Sequence, residues 1–343
     1  MFRTTSNPPN RFDPVSVDWE IEPPPATLEV FEDHTRGILA RNDSPDVGFT
    51  WSVNPYRGCQ HGCAYCYARP SHEYLGFGAG TDFETKIMIK PRAAELLEES
   101  FERPAWKGEW VAFSGNVDCY QPLEVKYELT RACLEVCLRY RNPCGVITRS
   151  AVIERDTDLL TELHRTVGLR ATISIPFHDP EAARLVEPMA PRPARRFQVI
   201  AKLTEAGIPV GVNVAPVIPG LTDQDIPRIL KDARQAGARH AGIILLRLPG
   251  AVKDVFEARI RHAFPNRAEA ILNRIRRSRG GDKMNDPRFG SRMVGVGKEW
   301  ETTQRLFELW KERLGFEPHP PNTGPTPFRR PESRRGQLGL FGA

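Results

Sequence analysis

The sequence predicts an α/β fold built on a parallel sheet. Between Trp110 and Phe264, apolar runs of strand composition alternate with stretches of helical periodicity about ten to fifteen residues long. Gly207 and Gly237 follow two of the helical stretches, where a left-handed residue ends a helix most readily. The 343 residues, 40% hydrophobic and 27% charged, suffice for one barrel-sized domain with tails and have an ordinary soluble composition.

The elements follow in order. Residues 1–48 are Pro-rich and weakly periodic, and Pro23-Pro24-Pro25 fits neither a helix nor a central strand, so this stretch reads as an extended arm. Residues 49–53 alternate apolar and polar as a strand and lead into a cysteine-rich loop. A Gly-rich turn at 76–80 precedes a short strand at 83–89, and Pro91 suits the first turn of a helix. The strand at 110–113 ends in Ser114-Gly115-Asn116. The helix at 127–140 presents Leu129, Ala132, Cys133, Val136, Cys137 and Tyr140 on one face. Strands at 145–148, 169–177, 209–217 and 241–248 then alternate with helices at 156–167, 194–206, 223–236 and 252–264. With 49–53, the core strands number six. Helical patterns at 268–279 and 299–314 form an extension over 266–316, and residues 317–343 read as a flexible Pro- and Arg-rich tail.

Chemistry concentrates in Asn54-Pro55-Tyr56-Arg57-Gly58-Cys59-Gln60-His61-Gly62-Cys63-Ala64-Tyr65-Cys66-Tyr67. Cys59, Cys63 and Cys66 stand at C-x3-C-x2-C spacing, and Gly58 and Gly62 let the backbone bend around them. Three thiolates on one loop suit a soft metal or an iron–sulfur cluster, and a [4Fe–4S] cluster so held keeps one iron open to an outside ligand. The rival is a structural zinc ion with His61 or His72 as fourth ligand. Cys133, Cys137 and Cys144 read as core filler.

This spacing, with Tyr65 before the last cysteine, resembles the signature of the radical S-adenosylmethionine (SAM) superfamily. The resemblance implies a partial (β/α)6 barrel over 49–265. It also implies a [4Fe–4S] cluster on Cys59, Cys63 and Cys66, with SAM on the open iron and cleaved to a 5′-deoxyadenosyl radical. Barrel chemistry belongs at the C-terminal ends of strands. There Ser114, Gly115, Asn116 and Asp118 are expected around the amino group of SAM, with Asn116 or Asp118 taking the usual acidic part. Thr148, Ser174 and Asn213 are candidates for ribose and carboxylate contacts. The segments 116–124, 148–156, 187–191 with Arg196, and 215–223 resemble the spore photoproduct lyase branch and a group of related bacterial proteins. That branch restores hydrogen through a cysteine near the second strand. Here the strand end offers Ser114, so Cys119, with Tyr67, becomes the catalytic candidate.

The resemblance favours a nucleic-acid substrate and a DNA-repair-like lyase reaction. A peptide or small molecule is the other substrate class, and a non-catalytic Fe–S or zinc protein that binds nucleic acid is the other function. Residues 251–343 carry 19 Lys and Arg against 11 Asp and Glu, whereas residues 1–250 carry 29 against 32. The basic end can meet phosphates, or simply be solvated. Gln337, Leu338, Leu340 and Phe341 resemble the peptide by which bacterial repair proteins dock on the DNA sliding clamp. No apolar run approaches a membrane span, and thiolate chemistry fits a reducing cytoplasm and a low-potential electron donor.

Overall fold

The computed structural model describes residues 7–12, 26–281, 283–319 and 326–331. Its elements run β1 (Glu29–Glu32), β2 (Leu39–Arg41), β3 (Trp51–Val53), β4 (Tyr56–Arg57), α1 (Thr81–Thr85), β5 (Lys86–Ile89), α2 (Ala93–Glu102), β6 (Val111–Phe113), α3 (Glu124–Tyr127), α4 (Leu129–Arg139) and β7 (Cys144–Thr148). They continue α5 (Thr157–Val167), β8 (Arg170–Ser174), α6 (Pro180–Val186), α7 (Pro193–Glu205), β9 (Val210–Val217), α8 (Ile226–Gln235), β10 (His240–Leu245), α9 (Val252–Ala263), α10 (Ala268–Arg277) and α11 (Gly297–Arg313).

The main sheet has the order β10-β9-β8-β7-β6-β3-β2. The six expected core strands are all present, mutually parallel and in sequence order, while β2 adds an antiparallel edge. Val111, Ala112 and Phe113 of β6 are all buried, as continuous apolar strands covered on both faces must be. The principal core joins these strands to α2, α4, α5, α7 and α8 through residues such as Leu97, Leu134, Leu160, Ile200 and Leu230. The two sheet edges are bridged by one short segment. Met293 O accepts from Leu245 N at 3.1 Å beside β10, while Asp46, beyond β2, accepts from Gly290 N at 2.6 Å and Arg292 Nε at 2.5 Å. The sheet therefore curls far enough for residues 290–293 to reach both edges. A smaller sheet, β1-β5-β4, lies under the cysteine loop.

Three local differences from the sequence expectation have physical causes. Residues 81–85 form one helical turn, locked by Thr85 Oγ1 donating to Thr81 O at 2.8 Å, so the strand expected from Phe83 begins at Lys86. The helix expected over 127–140 breaks at Glu128, whose φ of 51° is left-handed. The short α6 has no counterpart in the sequence reading, although Asp179 caps it by accepting from Glu181 N at 2.9 Å and Pro180 fills its first turn.

The terminal segments lie against the domain where they are described. Asn10 Nδ2 donates to Glu73 O and Phe77 O, each at 3.3 Å. Residues 326–331, expected within the flexible tail, are docked: Phe328 packs on Phe101 and Tyr140, and Arg330 donates to the carbonyls of Phe101, Arg103 and Trp106. Gln337, Leu338, Leu340 and Phe341 lie outside the described residues. Among the described residues no helix is long and apolar enough to cross a membrane.

Candidate active site

The loop after β3 is built to turn tightly. Gly58 (φ 77°) and Gly62 (φ 64°) are left-handed, and a Cβ at Gly58 would stand 2.8 Å from the His72 ring. Buried polar side chains hold its shape. Gln121 spans it by donating to Gly58 O and accepting from Gln60 N, both at 3.1 Å. Arg69, wholly buried, donates twice to Cys63 O, once each to Ala79 O and Gly80 O, and to the Glu84 carboxylate. Its cation is thus committed to the loop.

The loop faces the C-terminal ends of the parallel strands across a cavity of about 440 Å³. Cys59, Cys63 and Cys66 line it together with Tyr67, Ser114, Gly115, Asn116, Asp118, Thr148, Ser174 and Asn213. Every expected site residue but one therefore meets in one place. Cys119 is the exception: it is fully buried in the principal core, its N–H donates to Ser114 Oγ at 2.8 Å, and burial pushes its thiol pKa up. Its thiol does not reach the cavity, which removes the geometric basis for the catalytic part expected of it.

The strand-end residues divide by what they already hold. Asp118 accepts from Thr148 Oγ1 at 2.6 Å, Arg149 N at 2.9 Å and Tyr120 N at 3.0 Å, so its carboxylate joins β6 to β7. Thr148 Oγ1 also accepts from Ser150 N at 3.0 Å. Asn116 is anchored through its backbone N–H to Asn54 Oδ1 at 2.8 Å, which leaves its side chain facing the cavity. Ser114 sits at φ 74°, a strained value for a residue with a Cβ. Gly115 is required by contact, since a Cβ there would stand 2.5 Å from Ser52 Cβ. Its carbonyl accepts from Tyr67 Oη at 2.9 Å. Ser174 and Asn213 are paired across β8 and β9, and Gly242 leaves room for the Asn213 amide.

A buried ionic network fastens the thiol side of the cavity. Glu187 accepts from Tyr65 Oη, from Arg196 Nη2 and, at 2.6 Å, from Arg149 Nη1. Burial would raise the Glu187 pKa, but the two guanidiniums and the hydrogen bonds hold it below the usual carboxylate range. Arg149 Nη1 also donates to Cys63 Sγ at 3.1 Å and Tyr65 Oη at 2.5 Å. The segments containing Arg149, Glu187 and Arg196 carry part of the family resemblance in the sequence, which assigns these three residues no role. Arg247 and Arg292 complete the cavity wall, with Arg247 stacked 5.6 Å over Tyr67. Neither was expected; their signal was only their place after the last strand and in a basic loop.

A family model described as Radical SAM superfamily matches residues 53–233, more than half of the chain. The chain belongs to this superfamily. An uncharacterized protein of Mycobacterium tuberculosis is 36% identical over 219 residues, and one of Methanocaldococcus jannaschii 27% over 182. These matches cover 63% and 53% of this chain and 64% and 66% of the relatives, so the chain spans less than two thirds of their length. Among solved structures, spore photoproduct lyase complexed with dinucleoside spore photoproduct superposes with a TM-score of 0.60 at 18% identity, covering 84% of this chain and 79% of that one. The shared fold covers more of this chain than the residues that the family model matches.

The superfamily uses a [4Fe–4S] cluster and SAM, and the residues here fit both. The donor set is three buried or half-buried thiols on one glycine-bent loop, all open to one cavity. Burial raises all three thiols, Cys63 to about 12 despite Arg149 beside it, so binding to iron is what would keep them as thiolates. Among the described residues no three His, Cys, Asp or Glu side chains enclose a single metal ion. His61 is buried with its pKa pushed down to about 4 by desolvation, and the Nε2 of His72 donates to Lys86 O at 2.8 Å.

Proposed function

We propose that this chain is a radical SAM enzyme acting on nucleic acid, in a reaction of the lyase or DNA-repair type. The observation that carries the reading is the common cavity: three thiols on one side and the strand-end amides and hydroxyls of Ser114, Asn116, Ser174 and Asn213 on the other. Cys59, Cys63 and Cys66 would hold the cluster, which when bound and reduced supplies the electron that cleaves SAM to a 5′-deoxyadenosyl radical. Asn116 would meet the amino group of SAM, with Asp118 fixing the turn that presents it. Ser174 and Asn213 would orient ribose or carboxylate. The apolar walls, Val47, Phe49, Ile147, Ile244 and Leu245, keep water from the reacting atoms. Tyr67 is the hydroxyl-bearing side chain between loop and strand ends, and would face the substrate hydrogen.

The nucleic-acid part rests on the extent of the likeness to spore photoproduct lyase, on the basic cavity wall and on the basic 251–343 region. A low-potential donor would supply the electron, in a reducing cytoplasm. The test is release of 5′-deoxyadenosine by the reduced, anaerobically reconstituted protein, with ultraviolet-irradiated DNA, untreated DNA or a peptide pool present. The reading expects stimulation by an oligonucleotide. Stimulation by the peptide pool alone would overturn the substrate class, and intact SAM under every condition would overturn the enzyme.

A further inference from the structure

We propose that the pocket between α9, α10 and the loop after α10 binds a phosphate of a nucleic-acid backbone beside the reaction cavity. The inference rests on the nucleic-acid reading above and adds where the strand lies. The pocket, about 300 Å³, is lined by Lys253, Arg276, Lys283, Met284 and Asn285. Three of the five are cations and none is a carboxylate. Their charges are weakly matched nearby. Lys253 Nζ stands 3.9 Å from Glu257, at the limit of an ion pair, and Arg276 donates to the Asn273 amide oxygen at 2.7 Å. Lys283 has no carboxylate partner among the described residues. Between residues 247 and 292, twelve Lys or Arg stand against five Asp or Glu. Arg274, Arg277 and Arg292 pair outside this stretch with Asp223, Glu299 and Asp46, so the charge an anion would meet in the pocket is that of Lys253, Arg276 and Lys283.

The pocket is physically joined to the cavity. Asn285 Oδ1 accepts from Leu248 N at 3.1 Å, and Leu248 follows Arg247 in the cavity wall. Arg247 makes no ion pair among the described residues; its guanidinium stacks on Tyr67. The connecting turn also abuts the segment after the cysteine loop, since a Cβ at Gly250 would stand 3.6 Å from Pro70. One cation site thus faces the cavity and a second lies outside it, separated by residues 248–252. A polymer with an anion at every unit fits such an arrangement. A phosphodiester chain offers this whatever its sequence, whereas a peptide would need acidic residues at two particular places.

The test is fluorescence anisotropy of the anaerobically reconstituted full chain with labelled single-stranded and duplex oligonucleotides over a salt series. Removing a phosphate contact lowers the slope of log K against log salt by about 0.7–0.9. Lys253→Gln/Lys283→Gln should therefore flatten the slope by about one to two and weaken binding at low salt. Lys253 is half exposed and Lys283 exposed, so folding is not at stake, and unchanged thermal melts will verify it. Arg305→Gln, on the exposed side of α11, should leave the slope unchanged. Wild-type slope in the double variant, with binding intact, would overturn the pocket and spare the substrate reading. No oligonucleotide binding by the wild type would overturn both. Displacement of the oligonucleotide by polyglutamate at equal charge concentration would assign the pocket to acidic peptides and overturn the proposal.

Discussion

Replacing Glu187 with Gln should cost much of the domain's stability although the side chain keeps its shape. The Glu187 carboxylate is fully buried, and Arg196, whose side chain is 1% exposed, has no other carboxylate within ion-pair distance among the described residues. Arg196 would keep its bonds to Pro191 O at 2.8 Å and Ser174 O at 3.0 Å but lose its counter-charge. Removing one partner of a buried ion pair typically costs about 3–5 kcal/mol, because the other charge is left uncompensated. At about 2.1 cal/mol/K of unfolding entropy per residue, a chain of 343 residues loses about 1.4 °C per kcal/mol, so the fall in Tm is about 4–7 °C. The damage should also reach the cysteine loop. Tyr65 donates to Glu187, and two flanking backbone bonds, Ala64 N to Val186 O at 3.0 Å and Met189 N to His61 O at 3.2 Å, join the same two segments. Thermal melts of the reduced apo-protein under argon measure the loss without involving the cluster. Glu187→Gln/Arg196→Met removes both charges and should recover part of it, since less buried charge remains unpaired. A fall below about 2 °C in Glu187→Gln, or a double variant as poor as the sum of the singles, would refute the argument that the network is held by charge compensation.

The remaining predictions are shorter. Asn116→Ala should weaken SAM binding with the melt unchanged, whereas Asp118→Ala should lower the melt as well, because it leaves buried donors at Thr148, Arg149 and Tyr120 unmatched, at about 1–3 kcal/mol each; equilibrium binding and melts on both variants decide it. His72 is buried as neutral imidazole, with its pKa pushed down to about 4 by desolvation. Between the unfolded value of 6.5 and that value the unfolded chain binds the extra proton, so stability falls as pH falls through this window, by about 3 kcal/mol in full. His72→Gln should therefore flatten the stability profile between pH 7 and 4 in chemical-denaturation curves, and an unaltered acid limb would contradict the assignment. Cys59→Ala, Cys63→Ala and Cys66→Ala should each abolish iron retention and 5′-deoxyadenosine release, while Cys133→Ala should retain both; iron analysis and chromatography of the reaction decide it.

The sheet was legible because the strands from β6 to β10 are largely apolar and each is followed by helix, a pattern set by burial, while β3 was legible from its own apolar–polar alternation. The six strands fell where the alternation placed them, and Gly58 and Gly62 announced the bend of the cysteine loop. The strand-end residues were legible for the same reason, since a parallel α/β sheet gathers its C-terminal strand ends. What the sequence hid was partnership at a distance. Asp118 and Asn116 look interchangeable in the chain, and only the fold shows the carboxylate consumed by Thr148 and Arg149. Cys119 follows the turn closely enough to suggest a cavity thiol, but its side chain points into the core. The Tyr65–Glu187–Arg149–Arg196 network draws on three separate segments, and no spacing rule connects them. The short α6 was missed because seven residues are too few for periodicity to speak.

The central claim is that the three loop thiols hold a cluster whose open position faces the cavity that receives SAM. Electron paramagnetic resonance of the dithionite-reduced, anaerobically reconstituted chain tests it most directly, recorded with and without SAM. The account predicts the signal of a reduced [4Fe–4S] cluster that changes when SAM is added, and its absence in Cys63→Ala. A colourless protein that binds zinc at this loop, or a cluster signal indifferent to saturating SAM, would contradict it.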